Sequence, residues 1–98
     1  MQPERIVLCH YRLEKAYSDL ESSKVLLKEG FHTQSLNRSY YAIFHCTRAL
    51  LALTGFDSRK HSGIISYFNQ HYVANGIFEK QYSKILMGAE EIRSQSDY

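Results

Sequence analysis

The sequence contains little of what several protein classes require. Its 98 residues include no tryptophan, one proline and two cysteines, and the formal net charge is only +2. Cys9 and Cys46 form neither a CxxC pair nor a metal-ligand spacing, so a reduced, cytoplasmic setting is the default expectation. The net charge is too small for bulk electrostatics to attract nucleic acid. Any anion-binding site must therefore be a local cluster.

Long hydrophobic runs are also missing. No apolar run approaches the roughly 20 residues of a membrane span, and the N-terminal segment MQPERIVLCH lacks the apolar core of a signal peptide. We therefore expect no membrane association. A chain of this length can bury one hydrophobic core and not two, so residues 1–98 are expected to form one domain.

The sequence does contain helical periodicity. Apolar residues recur at steps of three and four in four stretches, near 4–29, 33–54, 61–74 and 77–95, and each stretch ends at a glycine or a polar break. No segment alternates with period two between hairpin turns, so no strand is expected. Because the connections are short, the helices should be antiparallel neighbours. The sequence predicts an all-α, up-and-down four-helix bundle.

The second stretch carries the most informative pattern. Its middle, SYYAIFHCTRALLAL, is apolar on nearly every side and predicts a central helix that contacts two or three others. Yet Arg38, Tyr41, His45 and Arg48 follow one another at steps of three, four and three, which places them on one face. The forked N–H donors of an arginine guanidinium bind phosphate oxygens well, and histidine can transfer a proton near neutral pH. Alternatively, the arginines reach solvent at the edge of the helix and His45 satisfies a core hydrogen bond.

Two further clusters could bind a ligand. Glu90, Arg93 and Asp97 share one face of the last helix, although such charges are commonly solvated ion pairs. Lys60 and His61 stand where the third helix begins, where free backbone N–H groups could hold an anion. A capped helix start with no ligand explains that segment equally well.

Other kinds of chemistry find no support in the sequence. The five histidines include no i,i+4 pair and no HExxH motif, and there is no GxSxG or glycine-rich phosphate loop. We therefore expect no metal and no cofactor. Residue patterns alone predict a helical bundle with a local basic and aromatic face, and no more specific function.

Several motifs resemble those of the HEPN family of small helical proteins. The segment 37–45, NRSYYAIFH, followed by RALL at 48–51, resembles the central helix of that family. His61-Ser62-Gly63 followed by Ile65 and Phe68 resembles the next helix. Arg93 with Asp97-Tyr98 resembles the late Arg-Asp-Tyr motif. The resemblance covers nearly the whole chain and implies a HEPN-like bundle.

The resemblance implies two kinds of function. Many HEPN domains are metal-independent ribonuclease toxins that use an arginine and a histidine four to six residues apart, across a dimer interface. Others bind nucleotides or are non-catalytic partners of minimal nucleotidyltransferases encoded beside them. Here six residues separate Arg38 from His45, whereas the family's catalytic pair usually lies near the position of Arg93, where RSQSDY contains no histidine.

The first functional prediction is a homodimeric module that binds a nucleotide or RNA and works with a nucleotidyltransferase. The alternative is an endoribonuclease in which His45 takes the proton of a ribose 2′-OH while Arg38 and Arg93 stabilise the phosphorane. The residues expected to bind the ligand are Arg38, Tyr41, His45, Arg48, Lys60, His61, Arg93 and Asp97. The resemblance also implies a further helix after the Asp-Tyr motif, without which an apolar groove would be exposed and favour dimerisation or a partner.

Overall fold

The computed structural model describes residues 2–96, so Asp97 and Tyr98 lie outside the described residues. Helix α1 spans Pro3–Lys28 and α2 spans His32–Ala52. Helix α3 spans His61–Phe68 and is followed directly by a π-helical turn, Asn69–Val73. Helix α4 spans Lys80–Ser96. The described residues contain no strand, and the prediction of an all-α, four-helix fold is confirmed.

Proline and glycine set the ends of the first two helices. Pro3 begins α1, at a position where the missing N–H has no helical partner to lose. Gly30 follows α1 with φ of +85°, and Gly55 follows α2 with φ of +80°. The positive φ at Gly55 favours glycine there, and a Cβ atom would in addition displace the Arg5 guanidinium, whose nitrogen would lie 2.7 Å away.

The predicted helix bounds agree closely with the structure except around residue 77. Helix α4 begins at Lys80, three residues later than predicted. The reason is that Phe78 belongs to the preceding turn: its N–H donates to the carbonyl of Tyr72 at 2.6 Å, and its ring contacts those of Phe68 and Tyr72. The π-helical turn that ends the third helix was also not predicted.

Helix α2 is the central element, as its apolar sequence predicted. It packs against α1, α3 and α4, whereas α1 packs only against α2 among the described elements. The buried core takes side chains from α2, α3 and α4: Tyr40, Phe44, Leu51, Ile64, Phe68, Leu86 and Ala89. On its other side α2 approaches α1 through small residues, where the Ser35 hydroxyl donates to the carbonyl of Ser23 at 2.7 Å.

An open apolar groove lies between α1 and α4, because both helices pack on α2 and not on each other. The groove has a volume of about 730 Å³. Its walls include Tyr17 and Leu20 of α1 and Tyr82 and Ile85 of α4. Leu50, in the middle of the apolar run of α2, is half-buried on its floor rather than in the core. We call this feature the apolar groove.

Within the described part of the chain, no helix combines the length and the hydrophobicity that crossing a membrane would demand.

The core assignment predicts a large difference between two leucines of α2. Leu51 is fully buried and Leu36 is 49% exposed. Replacing Leu51 by alanine should lower the free energy of unfolding by about 2–5 kcal/mol, since it leaves a cavity between α2 and its neighbours. Leu36→Ala should change it by less than about 0.5 kcal/mol. Urea titrations followed by circular dichroism measure both, and equal midpoints would contradict the central placement of α2.

Candidate functional site

A cavity of about 470 Å³ opens where the middle of α2 faces the start of α3. We call it the α2–α3 cavity. Three elements line it: α2, the connection that follows α2, and the first turn of α3. The lining residues are Tyr41, Phe44, His45, Arg48, Asp57, Ser58, Arg59, His61 and Ile64. Four of the residues predicted to bind a ligand, Tyr41, His45, Arg48 and His61, therefore border one cavity.

Arg48 is held at the cavity by a carboxylate from the α2–α3 connection. Its Nη2 donates to both oxygens of Asp57, at 2.9 and 3.1 Å. Arg12 of α1 donates to the same carboxylate at 3.0 Å and to the carbonyl of Arg48 at 3.1 Å. Arg48 Nε is buried and has no hydrogen-bond partner. The cavity wall therefore contains a guanidinium with a buried donor that no described group satisfies.

Asp57 remains ionised in this arrangement. Burial raises the pKa of its carboxyl group, but hydrogen bonds from Arg48 and from the Ser58 backbone N–H, with the charges of Arg48 and Arg12, outweigh that effect. The net result is a pKa below the ordinary value for aspartate. Asp57 thus balances part of the positive charge that the two arginines bring.

Arg38 and His45 lie on the same side of α2 and share a second carboxylate. Arg38 Nη1 donates to Asp19 of α1 at 3.0 Å, and His45 Nε2 lies 3.5 Å from the other oxygen. The Arg38 guanidinium also sits over the ring of Tyr41, 4.9 Å from its centroid. The spacing argument placed these three residues together correctly. It did not identify Asp19.

The environment of His45 favours its neutral form. Burial lowers the pKa of the imidazole; Asp19 raises it, and the positive charges of Lys15, Arg48 and Arg12 lower it further. The net pKa is below the ordinary value of a histidine. His45 is therefore largely uncharged at neutral pH and is able to accept a proton.

A third carboxylate, Glu90 of α4, joins three helices. It accepts a hydrogen bond from the Tyr40 hydroxyl at 2.7 Å and lies 3.3 Å from His61 Nδ1. Arg93 donates to both oxygens of Glu90, at 3.3 and 3.0 Å, and its guanidinium lies 5.3 Å from the centroid of the Tyr40 ring. His61 Nδ1 is also 2.5 Å from the Tyr40 hydroxyl. His61 thus belongs both to this cluster and to the cavity wall.

The pKa shifts in this cluster agree with its geometry. Burial, followed by the hydrogen bond to Glu90, raises the pKa of the Tyr40 hydroxyl far above its usual value. The Arg93 hydrogen bond is the largest influence on Glu90 and lowers its pKa despite partial burial. Tyr40 therefore stays a donor and Glu90 stays a carboxylate at neutral pH.

The remaining predicted site residues lie elsewhere. Arg93 contacts Glu90 and Tyr40 and is not part of the cavity lining. Lys60 precedes α3 and is exposed, and its backbone N–H donates to the Ser58 hydroxyl at 3.1 Å. Asp97 lies outside the described residues. The predicted set is thus divided between the cavity, the Asp19 contact and the Glu90 cluster.

The sequence did not identify three residues that hold the site in place, Asp19, Asp57 and Tyr40, or that Glu90 is the partner of Tyr40. It also did not identify Arg59 as a residue of the cavity. Only Tyr40 had a usable signal: a tyrosine inside the apolar run of a central helix needs a buried acceptor for its hydroxyl. Among the described residues, no three side chains of the histidine, cysteine, aspartate and glutamate types come together as a metal site would require.

Chemically, the α2–α3 cavity suits an anion. Two guanidiniums, Arg48 and Arg59, and two imidazoles, His45 and His61, face it against one carboxylate. His61 Nδ1 is engaged with Tyr40 and Glu90, so Nε2 is its nitrogen available to a ligand. Donors arranged around a concave space on rigid elements match the needs of phosphate oxygens.

Comparison with known proteins gives a consistent result. The family model of the HEPN domain matches residues 9–98. "UPF0332 protein PH1297" of Pyrococcus horikoshii is 46% identical over 68 residues, which is 69% of this chain and 48% of the relative. "UPF0332 protein glr0978" of Gloeobacter violaceus is 37% identical over 86 residues, 88% of this chain and 68% of the relative.

A further relative, from Methanocaldococcus jannaschii, carries the name "Putative toxin MJ0605". It is 33% identical over 86 residues, which is 88% of this chain and 64% of the relative. The matched part of this chain thus spans about half of the Pyrococcus protein and about two thirds of the other two. No solved structure gives a significant match. The family match over most of the chain agrees with the four-helix fold, and the chain belongs to the HEPN domain family.

Proposed function

We propose that this chain is the nucleotide- or RNA-binding member of a toxin-type HEPN pair, that it forms a homodimer, and that it works with a minimal nucleotidyltransferase. The observation that carries the proposal is the α2–α3 cavity with its two arginines and two histidines. The Methanocaldococcus jannaschii relative named as a putative toxin supports the toxin-type role.

Binding of a phosphate would change the partners of Arg48. Its Nη2 now bonds Asp57, while Nε is buried without a partner. A phosphate in the cavity offers several acceptor oxygens, so it can bind Arg59 directly and compete with Asp57 for Arg48. Asp57 would keep Arg12 as a partner after losing Arg48, so the exchange leaves no carboxylate unpaired.

Arg59 provides the cleanest test of phosphate binding. It borders the cavity, is exposed, and its side chain makes no hydrogen bond or ion pair within the described residues. We expect Arg59→Ala to weaken the binding of AMP or a short RNA about tenfold and to reduce the salt dependence of binding by roughly one charge. Fluorescence anisotropy of labelled ligands, repeated at several salt concentrations, measures both quantities.

Lys28→Ala is the matched control because it removes the same charge at the far end of α1, where the side chain is exposed. Its affinity should equal that of the wild type. The proposal would be overturned if Arg59→Ala bound the ligands as tightly as this control does.

The second candidate function is metal-independent cleavage of RNA, and the observation that favours it is the neutral, partly buried His45. In this reaction His45 takes the proton of a ribose 2′-OH, the 2′ oxygen attacks phosphorus, and the 5′ oxygen leaves and takes a proton from water. Arg38, on the same side of α2, stabilises the charge on the phosphorane, and a 2′,3′-cyclic phosphate remains. Asp19 holds both Arg38 and His45.

Cleavage by this route has a defined pH dependence. A base must be unprotonated, and burial lowers the pKa of His45 below the ordinary value for histidine. The rate should therefore fall at a lower pH than for a base with the ordinary pKa of histidine, and it should be independent of pH above that fall. His45→Ala should abolish cleavage at every pH while leaving binding within about twofold. Gel assays of a labelled RNA measure the rates, and cleavage retained by His45→Ala would exclude this mechanism.

Growth experiments separate the two candidate functions and test the partner. A ribonuclease should arrest growth when expressed alone, His45→Ala should not, and a small nucleotidyltransferase encoded beside the gene should relieve the arrest. A binding module should co-purify with that partner without arresting growth. An absence of both arrest and co-purification would contradict the toxin-type pair.

The apolar groove supports the homodimer. Ile85 is 53% exposed on the wall of the groove, and Ile92 is 46% exposed on the same helix but does not line it. If a second subunit covers the groove, Ile85→Glu should convert the dimer to a monomer because it places a charge in an apolar contact. Ile92→Glu is the matched control and should leave the dimer intact. Size-exclusion chromatography with light scattering measures the mass, and a dimeric Ile85→Glu protein would exclude this groove as the interface.

A further inference from the structure

Three aromatic rings stack beside the α2–α3 cavity. Tyr67 lies at the centre: its ring is 3.9 Å from that of Phe56 at an angle of 13°, and 4.1 Å from that of His71 at an angle of 27°. The Tyr67 hydroxyl donates to Thr54 Oγ1 at 3.2 Å, which fixes the ring over the end of α2. We call these rings, Phe56, Tyr67 and His71, the aromatic stack.

The aromatic stack continues directly from the cavity. Phe56 precedes Asp57, a residue of the cavity lining. On the third helix, Tyr67 follows Ile64 of the lining by three residues, which places the two on one face. His71 lies in the π-helical turn, and its stacking on Tyr67 extends that face beyond the helix. At the 1.5 Å rise of an α-helix, the seven residues from Ile64 to His71 would cover roughly 10 Å, which is an upper limit because the π-helical turn Asn69–Val73 advances less per residue.

The two ends of the aromatic stack differ. Phe56 packs against the hydrophobic core, whereas His71 is exposed and carries no second ring contact among the described residues. The His71 ring therefore presents an unstacked face to solvent. Such faces bind nucleobases in proteins that hold single strands, and any base can stack there because every base has a π-face.

We infer that the His71 end of the aromatic stack is a base-binding subsite for a single-stranded oligonucleotide with a phosphate in the α2–α3 cavity. This inference rests on the proposed phosphate binding and adds the class of ligand, since a stacked strand advances roughly 3.4 Å per nucleotide. About three nucleotides then cover the distance from the cavity to His71. A mononucleotide in the cavity would not reach that ring.

The test compares AMP with a 5′-phosphorylated tetranucleotide that is 2′-O-methylated so that no cleavage can occur. 2-Aminopurine replaces one base at a time, and its fluorescence changes when it stacks on a ring. With wild-type protein, we expect the largest change at the third or fourth base. His71→Ala should lose that change and bind the tetranucleotide about 5- to 150-fold more weakly, the range for one stacked base, with AMP affinity unchanged.

Two variants keep the result interpretable. His71→Phe retains a ring and should restore the tetranucleotide affinity, which separates stacking from a general effect on folding. His32→Ala removes an exposed histidine at the start of α2 and should have no effect. Tetranucleotide binding that depends on Arg59 but is unchanged in His71→Ala would overturn the subsite and leave the proposed function standing. An absence of Arg59-dependent binding for both ligands would overturn both.

Discussion

Removal of α2 from water is the constraint on which the rest of the structure depends. The helix packs against three others, yet its Arg38, His45 and Arg48 are partly buried and its Tyr40 is buried. A buried hydroxyl or a partly buried charge that lacks a partner destabilises the fold, so each of these groups needs a partner from another element. Where those partners come from decides how the other helices are arranged.

Three carboxylates meet this requirement, and each comes from a different element. Asp19 on α1 pairs with Arg38 and His45, and Asp57 in the α2–α3 connection pairs with Arg48. Glu90 on α4 accepts a hydrogen bond from Tyr40. Replacing such pairs by apolar residues is often neutral for stability, so their main effect is on geometry. They fix α1, the connection and α4 relative to α2, and the α2–α3 cavity is the space left between two of these contacts.

The sequence was sufficient for the helices and for the common face of α2, because both follow from the 3.6-residue period. It was not sufficient for Asp19 or Asp57, whose roles depend on which helix lies beside which. The start of α4 was misplaced because Phe78 packs on Phe68 and Tyr72 instead of beginning the helix. Arg93 was grouped with the α2 arginines because a sequence motif does not give the distance between residues in space. In the structure Arg93 donates hydrogen bonds to Glu90.

The apolar groove has a practical consequence for work on this protein. Dyes such as ANS become fluorescent on open hydrophobic surface, and their signal is usually taken as a mark of a molten state with loosened side-chain packing. Here the folded chain itself offers a concave surface of leucine, isoleucine and tyrosine between α1 and α4. Dye fluorescence under native conditions would therefore report whether the groove is occupied, and it would fall on association at that surface while the helices stay intact.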